Sequence, residues 1–153
     1  MDITLEQDLA SAIRFIQDNA TEGTEFYFGE IPEDYKVPSI YFQVPYSLGS
    51  KATLRSYKTK VTLNVWFMAG TTWDAQSDAA GMMETILLNN CVFPLVDMSG
   101  NKLKAGLRIS DPETKKIENG IVQLTFSFDS YFHSEKDVPK VQKFYAEMQR
   151  NIR

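Results

Sequence analysis

The stretch SYKTKVTLNVWF, residues 56–67, alternates along its whole length: Tyr57, Thr59, Val61, Leu63, Val65 and Phe67 fall on one side, and Lys58, Lys60, Thr62, Asn64 and Trp66 on the other. A period of two over so many residues predicts a β-strand with one face toward a core. At roughly 3.3 Å per residue the strand reaches about 40 Å, whereas a compact chain of this length has a radius of gyration of about 15 Å. It therefore crosses a whole domain or projects from it. A second such run, IVQLTFSFDSYF at 121–132, sets Val122, Leu124, Phe126 and Phe128 against Gln123, Thr125, Ser127 and Asp129. The two strands are expected side by side at the centre of one sheet.

The remaining elements arrange themselves around this pair. Leu5, Leu9, Ala12, Ile13 and Ile16 recur at helical spacing behind Thr4 and Gln7, which have the form of a capping box, and predict a first helix over 4–19. TEFYFGEI and PSIYFQVPYS read as two strands that could pair as a hairpin, the second bounded by Pro38 and Pro45, which cannot donate to a ladder. SLGSKATLR, residues 47–55, lacks periodicity and reads as a mobile loop. Thr71 or Thr72 caps a second helix with Asp74 in its first turn, and Ala79, Ala80, Met83, Ile86 and Leu87 form its expected buried stripe. VFPLVD and LKAGLRIS form a hairpin around Gly100, DPETKKIENG is a turn, and Val138, Val141, Phe144, Tyr145, Met148 and Ile152 mark a last helix over 137–152. The expectation is an α+β fold: one domain over 1–153 with its core in 4–132, a largely antiparallel or mixed sheet of four to six strands, two helices on one face, and the C-terminal helix.

Composition removes several classes of function. With 16 Lys and Arg against 20 Asp and Glu, a general electrostatic grip on nucleic acid is not indicated, so any basic contact must be local. The single cysteine, Cys91, cannot form an intrachain disulfide, and the acidic start MDITLEQDL has neither the cationic region nor the apolar run of a signal peptide, which predicts a protein kept in a reducing cytosol. No apolar run approaches the roughly 20 residues that span a bilayer, so no membrane association is expected.

Catalytic constellations lack residues. His133 is the one histidine, which leaves no room for several imidazole ligands and reads as an inert surface group. Cys91 has no activating neighbour in sequence and reads as a small buried apolar side chain. Ser99 and Lys102 match an S-x-x-K spelling, but in a turn rather than at the start of a helix. None of the 8 glycines falls in a phosphate-binding pattern, and Asp97, Asp111, Glu113 and Glu118 read as solvated turn carboxylates. No catalytic, cofactor or metal residue is assigned. What stands out is the basic cluster Lys51, Arg55, Lys58 and Lys60, either edge-protecting lysines at a strand end or a contact with an acidic neighbour. Tyr41 and Trp66 join it, because they stand opposite the apolar stripes of their strands, where helices on both faces or a partner would cover them.

The opening amphipathic helix, PSIYFQVP, the long strand YKTKVTLNVWF, the helix TTWDAQSDAAGMMETILLNN and NGIVQLTFSFDSYF together resemble the tail terminator and tail-completion proteins of long-tailed bacteriophages and phage-tail-like particles. The resemblance covers about residues 4–132 and implies an α+β subunit of a virion tail or neck, made in the bacterial cytoplasm. It implies a homo-oligomeric ring, six-membered, that caps the head-proximal end of the tail tube, stops tube growth and meets the connector or sheath, with transient passage of DNA through the ring. It implies no enzyme activity and no cofactor. A head–tail adaptor of the same neck, or a small α+β enzyme or ligand carrier with a pocket between sheet and second helix, are the alternatives.

Overall fold

A computed structural model describes residues 3–51, 53 and 56–133, with side chains from residue 7 to residue 130. Its elements in chain order are α1 (Ile3–Asp18), β1 (Glu25–Phe28), β2 (Ser39–Phe42), β3 (Tyr46–Lys51), β4 (Ser56–Met68), α2 (Thr72–Leu88), β5 (Val92–Val96), β6 (Lys102–Glu118) and β7 (Ile121–His133). The helix expected over 137–152 lies outside the described residues. The fold is α+β: a curled mixed sheet in the order β1-β2-β4-β7-β6-β5, with β3 paired to β4 and two helices against it.

The two long strands are neighbours, as their alternation predicts. β4 and β7 pair antiparallel from Ser56 opposite His133 to Met68 opposite Ile121, without a slip. An unbroken register brings the main apolar sets of both strands to one face: Val61, Leu63, Val65 and Phe67 lie beside Phe128, Phe126, Leu124 and Val122, all buried. Both helices pack on that face. Ala12, Phe15 and Ile16 of α1 and Ala75, Ala79, Met82 and Ile86 of α2 complete the core. Phe93 of β5 joins the layers, stacking on Phe15 at 4.1 Å between ring centroids and meeting Phe126 edge-on at 5.6 Å. Small alanines at 75 and 79 let α2 lie close to the sheet.

Local chemistry fixes the helix ends and turns. Thr71 caps α2, its side chain accepting the Asp74 N–H at 3.1 Å, as expected. The expected hairpin around Gly100 joins β5 to β6; Asp97 Oδ1 accepts the N–H groups of Ser99 and Asn101, and Gly100 takes φ 85°. α1 is tied to β5 by its buried Ser11, whose Oγ accepts the Val96 N–H at 2.9 Å, and by Gln7, whose amide donates to the Val96 carbonyl at 3.0 Å. Since α1 already includes Ile3, Thr4 lies inside the helix and not at its N-cap, where a capping box would need it.

Five further expectations are corrected. The sheet has seven strands among the described residues, because SLGSKATLR is not a loop throughout: Tyr46–Lys51 form β3, opposite Thr62–Tyr57. All six of its residues are exposed, so no burial pattern marks it in the sequence. β1 and β2 do not form a hairpin but pair in parallel, Glu25 beside Ser39 and Phe28 beside Phe42. DPETKKIENG is mostly strand: β6 runs on to Glu118, absorbing Asp111 (φ 54°) and Pro112 where its register against β7 shifts between Ser110 and Glu113, and only Asn119 and Gly120 turn. Proline is admitted at such bulges. The buried stripe of α2 is Ala75, Ala79, Met82 and Ile86, rotated from the expected one, with Leu87 and Leu88 exposed at the helix end.

The central pair generates a direct test. Phe126 is fully buried between β4, β6 and the Phe93 ring, so Phe126→Ala should lower the unfolding free energy by about 3–5 kcal/mol in a denaturant titration.

Candidate partner interface

The face of the β4–β7 pair turned away from the helices carries Lys58, Lys60, Thr62, Asn64 and Trp66 against Asp129, Ser127, Thr125 and Gln123. Side chains there are bonded to one another across the strands. Trp66 Nε1–H donates to Gln123 Oε1 at 2.9 Å, Gln123 Nε2–H to Thr125 Oγ1 at 3.0 Å, and Thr125 Oγ1–H to Asn64 Oδ1 at 2.8 Å. The Thr62 and Ser127 hydroxyls share a bond of 3.0 Å. Each member holds its neighbour's rotamer, so this polar surface is pre-ordered. Asn64, Trp66, Gln123 and Thr125 are half-buried and present their remaining polar atoms in fixed positions to a surface laid against them, while Thr62 and Ser127 are buried.

Tyr41 and Trp66 meet on this face as a cross-strand pair, their rings edge-on at 5.5 Å. Both are half-buried and have used their polar atoms: Tyr41 OH donates to the Gly29 carbonyl at 2.8 Å. They brace the corner where β1, β2 and β4 meet.

The structure divides the basic cluster. Lys58 and Lys60 project on the polar face, while Lys51, opposite Tyr57, stands on the other. Arg55 lies outside the described residues. Asp129 is opposite Lys60, and its Oδ2 lies 4.0 Å from Lys58 Nζ, both side chains partly exposed, so the patch is a mixed one with a small excess of positive charge. Such exposed pairs contribute little to stability.

Sequence reasoning missed the residues that flank this patch. Val44, Tyr46 and Leu48 are 77, 62 and 71% exposed, and Tyr46 and Leu48 share a face with their partners Thr62 and Lys60. The polar set of β7 was legible from alternation, whereas its bonding to Asn64 and Trp66 depends on a register that only the paired strands reveal.

Two concavities lie elsewhere on the subunit. One of about 170 Å³ lies between the end of α1, the start of β2 and α2, with Thr21, Thr24, Ser77, Asp78 and Thr85 in its lining. Another, of about 470 Å³, opens between Asp8, Leu107, Arg108, Ser110 and Asp129. Among the described residues no group of three His, Cys, Asp or Glu side chains is placed to hold a metal ion, and no helix is long and apolar enough to cross a membrane.

No family model matches the chain. It is similar to the phage-like element PBSX protein XkdJ of Bacillus subtilis (strain 168), 26% identical over 117 residues, 76% of this chain and 80% of the relative. It is also similar to the uncharacterized protein YqbJ of the same organism, 24% identical over 121 residues, 78% of this chain and 83% of the relative. Both matches extend over most of the two chains compared.

Partial burial holds the Asp78 carboxyl above its ordinary value of 3.8, and the neighbouring charge of Asp74 raises it further. A carboxyl raised in this way binds its proton more readily in the folded chain, so ionised Asp78 subtracts stability at neutral pH, and the loss fades as pH falls through the folded value toward 3.8. Asp78→Asn should therefore raise the melting temperature at pH 7 by a small step, on the order of 2 °C. That gain should vanish in melts recorded below the ordinary value.

Proposed function

We propose that this chain is a structural subunit of a phage-type particle that caps the head-proximal end of a tail tube as a ring, ends tube polymerisation and provides the joining surface for the connector or sheath. The observation that carries the reading is the match over most of both chains to XkdJ, a protein of a phage-like element. The order of elements that resembles tail terminators also supports it, and so does a sheet with one face under helices and the other largely polar and half-buried. A tube cap needs surfaces that bind other subunits rather than a reaction centre. The pre-ordered polar face with Lys58 and Lys60 at one end and the exposed Val44, Tyr46 and Leu48 beside it suit that role. In this reading the protein is not an enzyme, its partners are further copies of itself, the tube protein and the connector or sheath, and DNA passes through the ring.

The head–tail adaptor alternative implies a more helical subunit, whereas the described residues hold seven strands and two helices. Deleting the gene in a particle-producing strain should yield particles whose tails are longer than normal and variable in length when measured by electron microscopy, and supplying the gene in trans should restore one length. Tails of normal length that have lost their heads would replace the terminator reading with the adaptor.

A further inference from the structure

The sheet ends in two long open edges on opposite sides of the central pair. β3 pairs with β4 on its inner side, and β6 from Ile109 to Glu118 pairs with β7 on its inner side; among the described residues neither stretch has a strand on its outer side. Exposed edges of this kind carry a row of unpaired N–H and C=O groups that another strand can take up. β3 has only Lys51 as a charged residue to discourage such pairing, and it displays Tyr46 and Leu48 beside it.

We propose that the outer edge of β3 in one copy pairs antiparallel with the outer edge of β6, around Glu113–Lys115, in the next copy of this chain. The proposal rests on the ring reading above and names the contact that would close it. Strand direction permits the pairing without a fault: β3, β4, β7 and β6 alternate in direction, so placing β6 of one copy beside β3 of the next continues an antiparallel sheet. Two different edges on opposite sides make a head-to-tail contact, the kind that generates rings.

Stagger agrees with closure. β3 lies level with Tyr57–Thr62 of β4, while the β6 edge, through β7, lies level with the other end of β4, toward Met68. Setting Leu48 beside Lys115 offsets successive copies by about six residues, roughly 20 Å, across four strands spaced about 4.8 Å apart. Copies at one height then require strands tilted by about 45° from the ring axis, at the top of the range that closed barrels adopt. The helices would lie outside such a ring, and the polar face of β4 and β7 would line its channel.

Charge distinguishes this pairing from the two-fold alternative. Joining β3 to β3 would gather Lys51, Lys58 and Lys60 of both copies, and like charges across a strand pair oppose it. Against β6, the small Ser50 leaves Lys58 facing the exposed Glu113 of the neighbour on the polar face, while the larger Leu48 stands between Lys60 and the neighbour's Lys115.

The test is oxidative cross-linking of Leu48→Cys/Lys115→Cys in a Cys91→Ser background, applied to the concentrated protein and to particles that incorporate it. Leu48 and Lys115 are exposed, so the fold should be unchanged by circular dichroism. The expected result is a ladder of covalent oligomers ending at one closed species in the double variant, with both single variants monomeric. Dimers from Leu48→Cys alone would overturn the proposal in favour of two-fold pairing. Uncross-linked double variant seated at tail ends would overturn it and leave the terminator reading standing. Absence of the protein from tail ends would remove both. Proline at Ser47 and, separately, at Leu48 gives a second readout, since one of two adjacent residues turns its N–H outward. One of these variants should keep the melting temperature yet lose ring formation, and rings from both would contradict the edge pairing.

Discussion

The rest of the structure depends on the uninterrupted antiparallel pairing of β4 with β7. A strand pair has two faces whose identities are exchanged by a slip of one residue. Because no slip occurs between Ser56 and Met68, the apolar sets of both strands coincide and form the floor on which α1 and α2 sit. The opposite, polar set is aligned by the same register into the Trp66–Gln123–Thr125–Asn64 chain. Core and candidate interface are therefore two consequences of one alignment.

The length of the pair supplies the second consequence. Burial on the helix side is continuous from Val61 to Phe67, while Tyr57 and Thr59 are only partly buried. The strands thus run on past the core, and β3 is the element that accompanies this extension on the β4 side. A segment that makes few core contacts but offers an open backbone edge is costly for an isolated subunit to keep and useful to one that joins others. In the proposed ring, this extension of the long strands would lie at the boundary between copies.

What the sequence disclosed follows from periodicity. β4 and β7 were legible because each sets an apolar face against a largely polar one, and the α2 cap because Thr71 and Asp74 have a local role that no tertiary contact alters. β3 was illegible because exposure on both faces erases the period of two. The extension of β6 was hidden by Asp111 and Pro112, turn residues that here occupy a bulge, and the parallel pairing of β1 with β2 by a linking segment whose turn residues suggest a hairpin. Half of the candidate site was visible. Lys51 and Lys58 look like one cluster along the chain, yet the β3–β4 ladder sets them on opposite faces, and Asp129, remote in sequence, arrives between Lys58 and Lys60.

The measurement closest to the central claim is amide hydrogen exchange compared between the free subunit and the assembled particle. The account predicts slow exchange over Val61–Met68 and Ile121–Phe128 in both states, because these amides belong to the core pair. Alternate amides of Tyr46–Lys51 and of Glu113–Glu118 should exchange rapidly in the free subunit and become protected on assembly. Equal protection of these two edges in both states would show that assembly does not use them, and the role assigned here to the long strands would be wrong.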